Sequence, residues 1–404
     1  MSYSRRKFLR DGLVASAGLV GASLVPSMLG CMPRYGHTSS VDSSRRVLAD
    51  LHVHAMINEW NRSTPLGVKY PAIAAIADKF VNVSGMNWKD CHAAGIDLMC
   101  VAHFNVFDEW LSMPTDPNPE APRNSLRMMD QLEEELSGPA RNFGKLARTK
   151  EELRNLLDVR RSSSEFRTAV VHTLEGGHAL GGNLEVLPQF ASRGVATIDI
   201  THFFSKHIAT SANSFPYFPD DNSSWPYLGL TEFGVEVIAE MERLGIIVDV
   251  THATSKSIED ILKVATRPLM VSHGSARTLS DHPYGLLDEH IKQIASGGGL
   301  IGVIIDPYLL SNYASEGQAK EKGTLSDVVR MIRYLVKLCG DHKHVAIGSD
   351  FAGFIAPPKE MNRLSQIGRL TDLLDKEFGN PAVVEDIMAN NSINFLLKNW
   401  QKGA

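Results

Sequence analysis

Eight short apolar runs rich in β-branched residues, alternating with stretches of helical periodicity, constrain this chain more than any other feature. They lie at Val47–Leu51, Ile96–Ala102, Ala169–Thr173, Ala196–Ile200, Ile246–Val250, Leu269–Ser272, Leu300–Ile305 and Val345–Gly348. Helical patterns fall between them, such as Thr231–Leu244, which opens on a capping-type Thr and Glu, and Ser326–Leu338. Strands that alternate with helices pair in parallel, and eight such units close into a (β/α)8, TIM-type barrel. An open, doubly wound sheet is the alternative. The 404 residues, 43% of them hydrophobic, suffice for one large core. Residues 55–94 and 122–157 exceed a minimal unit and are expected as insertions beside the barrel mouth.

The first 46 residues differ in kind. Ser4-Arg5-Arg6-Lys7-Phe8-Leu9 is a twin-arginine export signal, and the stretch from Gly12 to Leu29 that follows is rich in Ala, Gly and Val. Met28-Leu29-Gly30-Cys31 resembles a lipoprotein cleavage box, with Cys31 as the lipid-bearing residue. The expected organisation is therefore a signal over 1–31, a linker over 32–46 and a barrel domain over 47–404, exported to the periplasm or beyond and tethered to a membrane through Cys31. Cys91, Cys100 and Cys339 form no CxxC pair and are expected to be buried packing residues. The net charge of −5, with no basic cluster after the first ten residues, excludes a nucleic-acid-binding surface.

Catalytic groups of parallel barrels project from the C-terminal ends of the strands, so polar residues that end apolar runs are the ones to inspect. The first run leads into Asp50-Leu51-His52-Val53-His54, and the third into His172-Thr173-Leu174-Glu175-Gly176-Gly177-His178. The fifth ends in Asp249-Val250-Thr251-His252, the sixth in Ser272-His273 and the eighth in Gly348-Ser349-Asp350-Phe351. Residues two apart on a strand share a face, so His52 and His54 can grip one metal. Glu175 can be the carboxylate shared between two ions, with His252 and His273 completing the second site and a bridging water as nucleophile. Each residue alone has a plainer reading as a core histidine or a helix cap. Several strands of one barrel ending together in ligand-type residues give the pattern its weight. His172 has the opposite parity from Glu175 and reads as structural, while His178 reads as a hydrogen-bonding partner near the ligands.

These residues resemble a known family. Glu175-Gly176-Gly177-His178, Gly229-Leu230-Thr231-Glu232-Phe233-Gly234, the run from Arg243 to His252, Ser272 to Arg277 and Ile347 to Phe351 resemble the successive motifs of the membrane (renal) dipeptidase family, over roughly 47–398. The resemblance implies a binuclear, zinc-type amidohydrolase acting on dipeptide-like substrates, and a homodimer. It implies that His52, residue 54, Glu175, His252 and His273 hold two divalent ions, that His202 polarises the scissile carbonyl, and that Asp350 moves the proton. Two positions depart from the family pattern. His54 stands where the family has Asp, which removes one ligand charge, and Tyr284 stands where the family has the arginine that holds the substrate carboxylate. Arg277 is the other residue considered for that carboxylate.

Two other functions remain open on the sequence. One is a different amidohydrolase reaction on the same site, with an N-acyl amino acid, lactam or lactone as substrate. The other is a lipid-anchored binding protein with a vestigial metal site.

Overall fold

The computed structural model describes residues 46–57, 86–105, 108–109, 117–162, 165–203, 207–212 and 229–401. The signal and most of the linker, together with the middle of the first expected insertion, lie outside these residues. Nine parallel strands form one sheet: β1 (Ala49–Val53), β2 (Leu98–His103), β3 (Gly144–Leu146), β4 (Thr168–Leu174), β5 (Val195–Asp199), β6 (Ile247–Asp249), β7 (Met270–Gly274), β8 (Leu300–Val303) and β9 (Val345–Ile347). Their order is β1-β2-β4-β5-β6-β7-β8-β9, sequential around the barrel apart from β3. This is the (β/α)8 architecture, and the open-sheet alternative is set aside. The eight apolar runs each yield a strand, with ends shifted by up to about two residues, as strand ends commonly are.

Alternate residues along each strand enter different apolar clusters, and both clusters are buried. Met99, Val101, Val170, Ile198, Val248 and Val271 pack with residues of helices 121–137, 232–244 and 325–339, among them Met129, Val237 and Leu335. Leu98, Cys100, Ala169, Val171, Ala196 and Met270 join the C-terminal Phe395, Leu396 and Trp400. A strand covered on both faces must be apolar throughout, which explains the continuous runs in the sequence.

Helix Glu232–Leu244 starts where the capping chemistry requires, with the Thr231 hydroxyl accepting the Gly234 N–H at 2.9 Å. Helix Leu325–Cys339 begins one residue earlier than the periodicity suggests, because Thr324 and Asp327 form a reciprocal capping box. Cys91 and Cys100 are buried, but Cys339 is only partly so, a correction to the expectation of three buried thiols.

The segment 122–157 also differs from expectation. Helix Ala121–Ser137 starts beside the turn Gly177–Leu180 that follows β4, and the chain then forms β3, which pairs with Thr168–Val170 at the start of β4. It therefore serves as the crossover from β2 to β4, with one extra strand at the end of the wall opposite the mouth. Three residues with a lysine at the centre carry no apolar run, so β3 had no signature in the sequence.

The last strand must meet the first for the barrel to close. Here the main chain does so where β1 ends and just past β9, through Val53 bridged to Phe351, His54 N–H to Phe351 O at 2.9 Å and Asp350 N–H to His52 O at 2.9 Å. The buried Asp50 carboxylate reinforces the seam by accepting the Ser349 N–H at 2.8 Å, the Ser349 hydroxyl and the His52 N–H at 3.1 Å. Burial pushes the Asp50 carboxyl up to about 6 even against these three bonds. Because this folded value lies above the unfolded one, ionising Asp50 draws stability from the fold as pH rises through about 6. Ser349→Ala removes a donor from the charged form. Its denaturation midpoint should fall by the equivalent of about 1.5–3 kcal/mol at pH 8, the scale of a hydrogen bond to a buried charge, and by less at pH 5. Equal losses at the two pH values would show that Asp50 does not ionise across this range.

Candidate metal centre at the barrel mouth

His52 lies in β1 and His54 follows it, Glu175 follows β4, His202 follows β5, His252 follows β6, His273 lies in β7 and Asp350 follows β9. All seven are buried. Their ring nitrogens and carboxylate oxygens converge around Glu175. Oε2 of Glu175 lies 3.3 Å from Nε2 of His54, and Oε1 lies 3.3 Å from His52, 3.4 Å from His252, 3.4 Å from His273 and 3.5 Å from His202. Nε2 of His52 is 3.3 Å from that of His54, and Nε2 of His252 is 3.0 Å from that of His273. Asp350 Oδ1 approaches His54 at 3.1 Å and His52 at 3.9 Å.

These spacings test whether the residues suit metal ions. Four ligands about 2.0–2.1 Å from a cation in tetrahedral geometry sit about 3.3 Å from one another, close to most of these distances. The donor set, imidazole nitrogens around a central carboxylate, is also that of borderline cations such as zinc. His52, His54 and Asp350 form one compact group, and Glu175, His202 and His252 another. A third, of His52, Glu175, Asp199 and His273, spans the middle.

The local backbone is adapted to this convergence. His252 and Asp350 have φ of 62° and 60°, in the left-handed region that costs a non-glycine residue energy and that persists only where surrounding contacts enforce it. At Gly176, φ is +95°, and a Cβ there would stand 2.3 Å from Nδ1 of His178 and 3.1 Å from Cβ of His202. The glycine thus lets Glu175 turn into the mouth while His178 folds back beneath it.

Burial raises the cost of the Glu175 carboxylate, but the histidines around it, His202, His54 and His52 foremost, more than reverse this and hold it well below the usual range. Burial pulls the His54 imidazole down, yet the Glu175 and Asp350 carboxylates lift it to about 10. His54 Nδ1 has no hydrogen-bond partner. His202 donates from Nδ1 to the fully buried Glu109 carboxylate at 2.7 Å, and this carboxylate with Glu175 raises its pKa against the effect of burial.

Other sequence-derived candidates are placed as follows. Tyr284 is buried with its ring centroid 5.1 Å from that of His252, and its hydroxyl donates to the His273 carbonyl. Arg277 donates to the carbonyls of Gly285, at 3.1 Å, and Pro283, so its guanidinium braces the loop that carries Tyr284. His178 is buried, with burial holding it down to about 4, and its ring meets Phe104 edge-on. His172 points elsewhere, its Nδ1 2.8 Å from His103 and its Nε2 3.4 Å from Glu133.

Two acids escaped the sequence reading. Glu109 lies in the segment after β2, six residues past the strand end, where no periodicity marks it. Asp199 ends β5 opposite Asp249 of β6, is buried, and has neither carboxyl oxygen hydrogen-bonded to a donor. Burial, and then the Asp249 carboxyl beside it, pushes Asp199 well above the usual carboxylate range. A polar residue closing an apolar run was the available signal for it.

A histidine and carboxylate cluster at the C-terminal mouth of a parallel barrel defines the class of metal-dependent barrel hydrolases. The chain belongs to the membrane dipeptidase family, peptidase family M19, whose model matches residues 124–400. It is 30% identical over 237 residues to a dipeptidase of Schizosaccharomyces pombe that is itself uncharacterised, a match covering 58% of this chain and about half (53%) of that protein. It is 29% identical over 246 residues to an uncharacterised Klebsiella pneumoniae protein encoded in the pqqA 5′ region, covering 61% of this chain and 87% of that one. Among solved structures, a metallopeptidase from Rhodobacter sphaeroides, liganded with a phosphinate mimic of L-Ala-D-Ala, superposes with a TM-score of 0.71 at 20% identity, over 88% of this chain and 100% of that one. A probable dipeptidase from Pseudomonas aeruginosa gives 0.67 at 19%, over 88% and 94%. At these identities the structural matches establish the fold.

Gly176 and Gly340 offer a paired test of the turn beneath the site. Both have positive φ, but a Cβ on Gly340 would meet nothing within 4 Å. Gly340→Ala should cost only the left-handed backbone penalty of about 1–2 kcal/mol. Gly176→Ala should cost more and should also lower bound metal, measured by denaturation and elemental analysis. Equal stability losses with unchanged metal content would refute the crowding argument.

Proposed function

We propose that the chain hydrolyses the amide bond of dipeptide-like substrates, using two divalent cations of zinc type held at the barrel mouth. His52, His54 and Glu175 would hold one, and Glu175, His252 and His273 the other. The observation that carries this reading is the convergence of five imidazoles on the Glu175 carboxylate at ligand-to-ligand spacing, with the Asp350 carboxylate 3.1 Å from His54. Bound there, the cations would polarise the carbonyl and lower the pKa of the attacking water.

The chain's own groups supply the remainder. His202, held by Glu109 at Nδ1 and with its pKa raised, presents Nε2–H toward the mouth and can stabilise the negative charge that develops on the substrate oxygen. Asp350, whose Oδ1 is 3.1 Å from Nε2 of His54, would take the proton from the attacking water and return it to the departing amine. The buried walls exclude bulk water, which strengthens both interactions.

Asp350→Asn keeps the shape but cannot carry the proton. It should retain its metals and melting temperature and lose at least roughly a hundredfold in turnover. Near-normal turnover would remove Asp350 from the mechanism.

Tyr284 favours a second reading of the substrate. With Tyr284 in the clamp position and Arg277 occupied by loop carbonyls, a free substrate carboxylate lacks the charge-assisted bond, worth about 1.5–3 kcal/mol, that the family's arginine would supply. Lactones, and lactams or amides without a free carboxylate on the leaving side, then compete with simple dipeptides, whereas N-acyl amino acids share the dipeptide's handicap. A panel of L,L and L,D dipeptides, N-acyl amino acids and lactones, assayed with metal-loaded protein, decides between them. Simple dipeptides should be cleaved poorly, and Tyr284→Arg should raise their kcat/KM by about tenfold or more. Efficient dipeptide cleavage by the wild type would place the carboxylate contact elsewhere.

Export by the twin-arginine segment, a lipid anchor at Cys31 and a homodimer complete the proposal. Among the described residues no helix is long and apolar enough to cross a membrane. Cys31→Ser should release the protein from the membrane fraction of the native host, and unchanged fractionation would exclude the anchor.

A further inference from the structure

The imidazoles that line the two halves of the centre are not positioned independently. Beneath them, Ser272 Oγ lies 2.9 Å from Nδ1 of His273 and 3.3 Å from Nδ1 of His52. The same oxygen is 3.3 Å from Thr251 Oγ1, which lies 2.7 Å from Asp249 Oδ1. Ser272, Thr251 and Asp249 are all buried, so no bulk water competes for these bonds.

Donor and acceptor counting fixes the direction of the chain. A carboxylate oxygen accepts, so the Thr251 hydroxyl donates to Asp249 Oδ1, which also accepts the Thr251 N–H at 3.0 Å and shares the Ser272 N–H, at 3.1 Å, with Thr251 Oγ1. With its one proton committed, Thr251 Oγ1 can only accept from Ser272, which it does from the N–H at 2.9 Å and from the hydroxyl. The Ser272 hydroxyl then has only its two lone pairs left. Both are met by Nδ1–H groups, one from His52 and one from His273. Each ring that donates from Nδ1 is the tautomer whose Nε2 carries a lone pair, and both Nε2 atoms face Glu175.

We propose that Ser272 is a shared positioning residue, which through the relay Ser272–Thr251–Asp249 locks His52 and His273 in the metal-binding tautomer and so couples the two cation sites. His54 lies outside the relay, since its Nδ1 has no partner. This inference rests on the metal-centre reading above, and the test separates the two.

The full chain, stripped by chelation, is titrated with cobalt(II) and followed by its visible absorption, with circular dichroism as the check on folding. Wild type should take up two ions. Ser272→Ala should weaken both binding steps, by roughly tenfold to a hundredfold, the usual effect of removing an outer hydrogen-bond partner of a ligand. Thr251→Val, which keeps the shape but cannot donate to Asp249, should weaken both in the same direction. Thr251→Ser should restore near-wild-type affinity and spectrum, which a merely space-filling role for Thr251 would not do. If Ser272→Ala fails to fold, the two Thr251 variants carry the test alone. Unchanged affinities in the variants, or weakening of one site only, would overturn the shared role while leaving the metal centre standing. Absence of cobalt uptake by wild type would overturn both.

Discussion

A parallel barrel of eight units is stable only if its last strand returns to its first, and in this chain that closure is made at the level of the functional residues. The ladder between β1 and β9 is replaced by main-chain bonds from Asp350 to His52 and from His54 to Phe351, backed by the buried Asp50 carboxylate on Ser349. The bonds that complete the wall therefore set Asp350 against the two histidines of β1. Cost and gain fall in one place: Asp350 is held on a left-handed backbone, a strain that only the closed seam sustains. Fold and site cannot be loosened separately here.

Electrostatics make a second constraint. Glu175 is a buried carboxylate, and such a group is tolerated only when opposite charge or strong donors surround it. The surrounding histidines meet this demand, and the Glu175 and Asp350 carboxylates in turn hold His54 up to about 10 against the effect of burial. Protons and metal ions thus compete for the same lone pairs. In the proposed centre, His54 standing where the family resemblance has Asp would add no negative charge to offset bound cations.

The other position that departs from the family resemblance lies in the loop after β7. Tyr284 lies against His252 and spends its hydroxyl on the His273 carbonyl, so it packs the wall of the mouth where an arginine would offer charge. The proposed hydrolytic groups come from strand ends and Tyr284 from the loop after β7, so the two are separable parts of one barrel.

Much of this was legible in the chain itself. Apolar runs buried on both faces announce eight strands, and a ligand-type residue at the end of a run marks its place at the mouth, because strand periodicity and strand direction are local properties. His52, His54, Glu175, His252, His273 and Asp350 are singled out this way, and His202 by the family resemblance. The three-residue β3 could not, nor could Glu109, which lies past a strand end in a segment without periodicity. What the tertiary structure alone decided is who meets whom: that Glu109 orients His202, that Arg277 is spent on its own loop, and that one serine hydroxyl serves histidines 220 residues and one residue away in sequence. Those pairings depend on how neighbouring strands register around a closed barrel, and register is set by the whole set of packed strands, which no single stretch of sequence encodes.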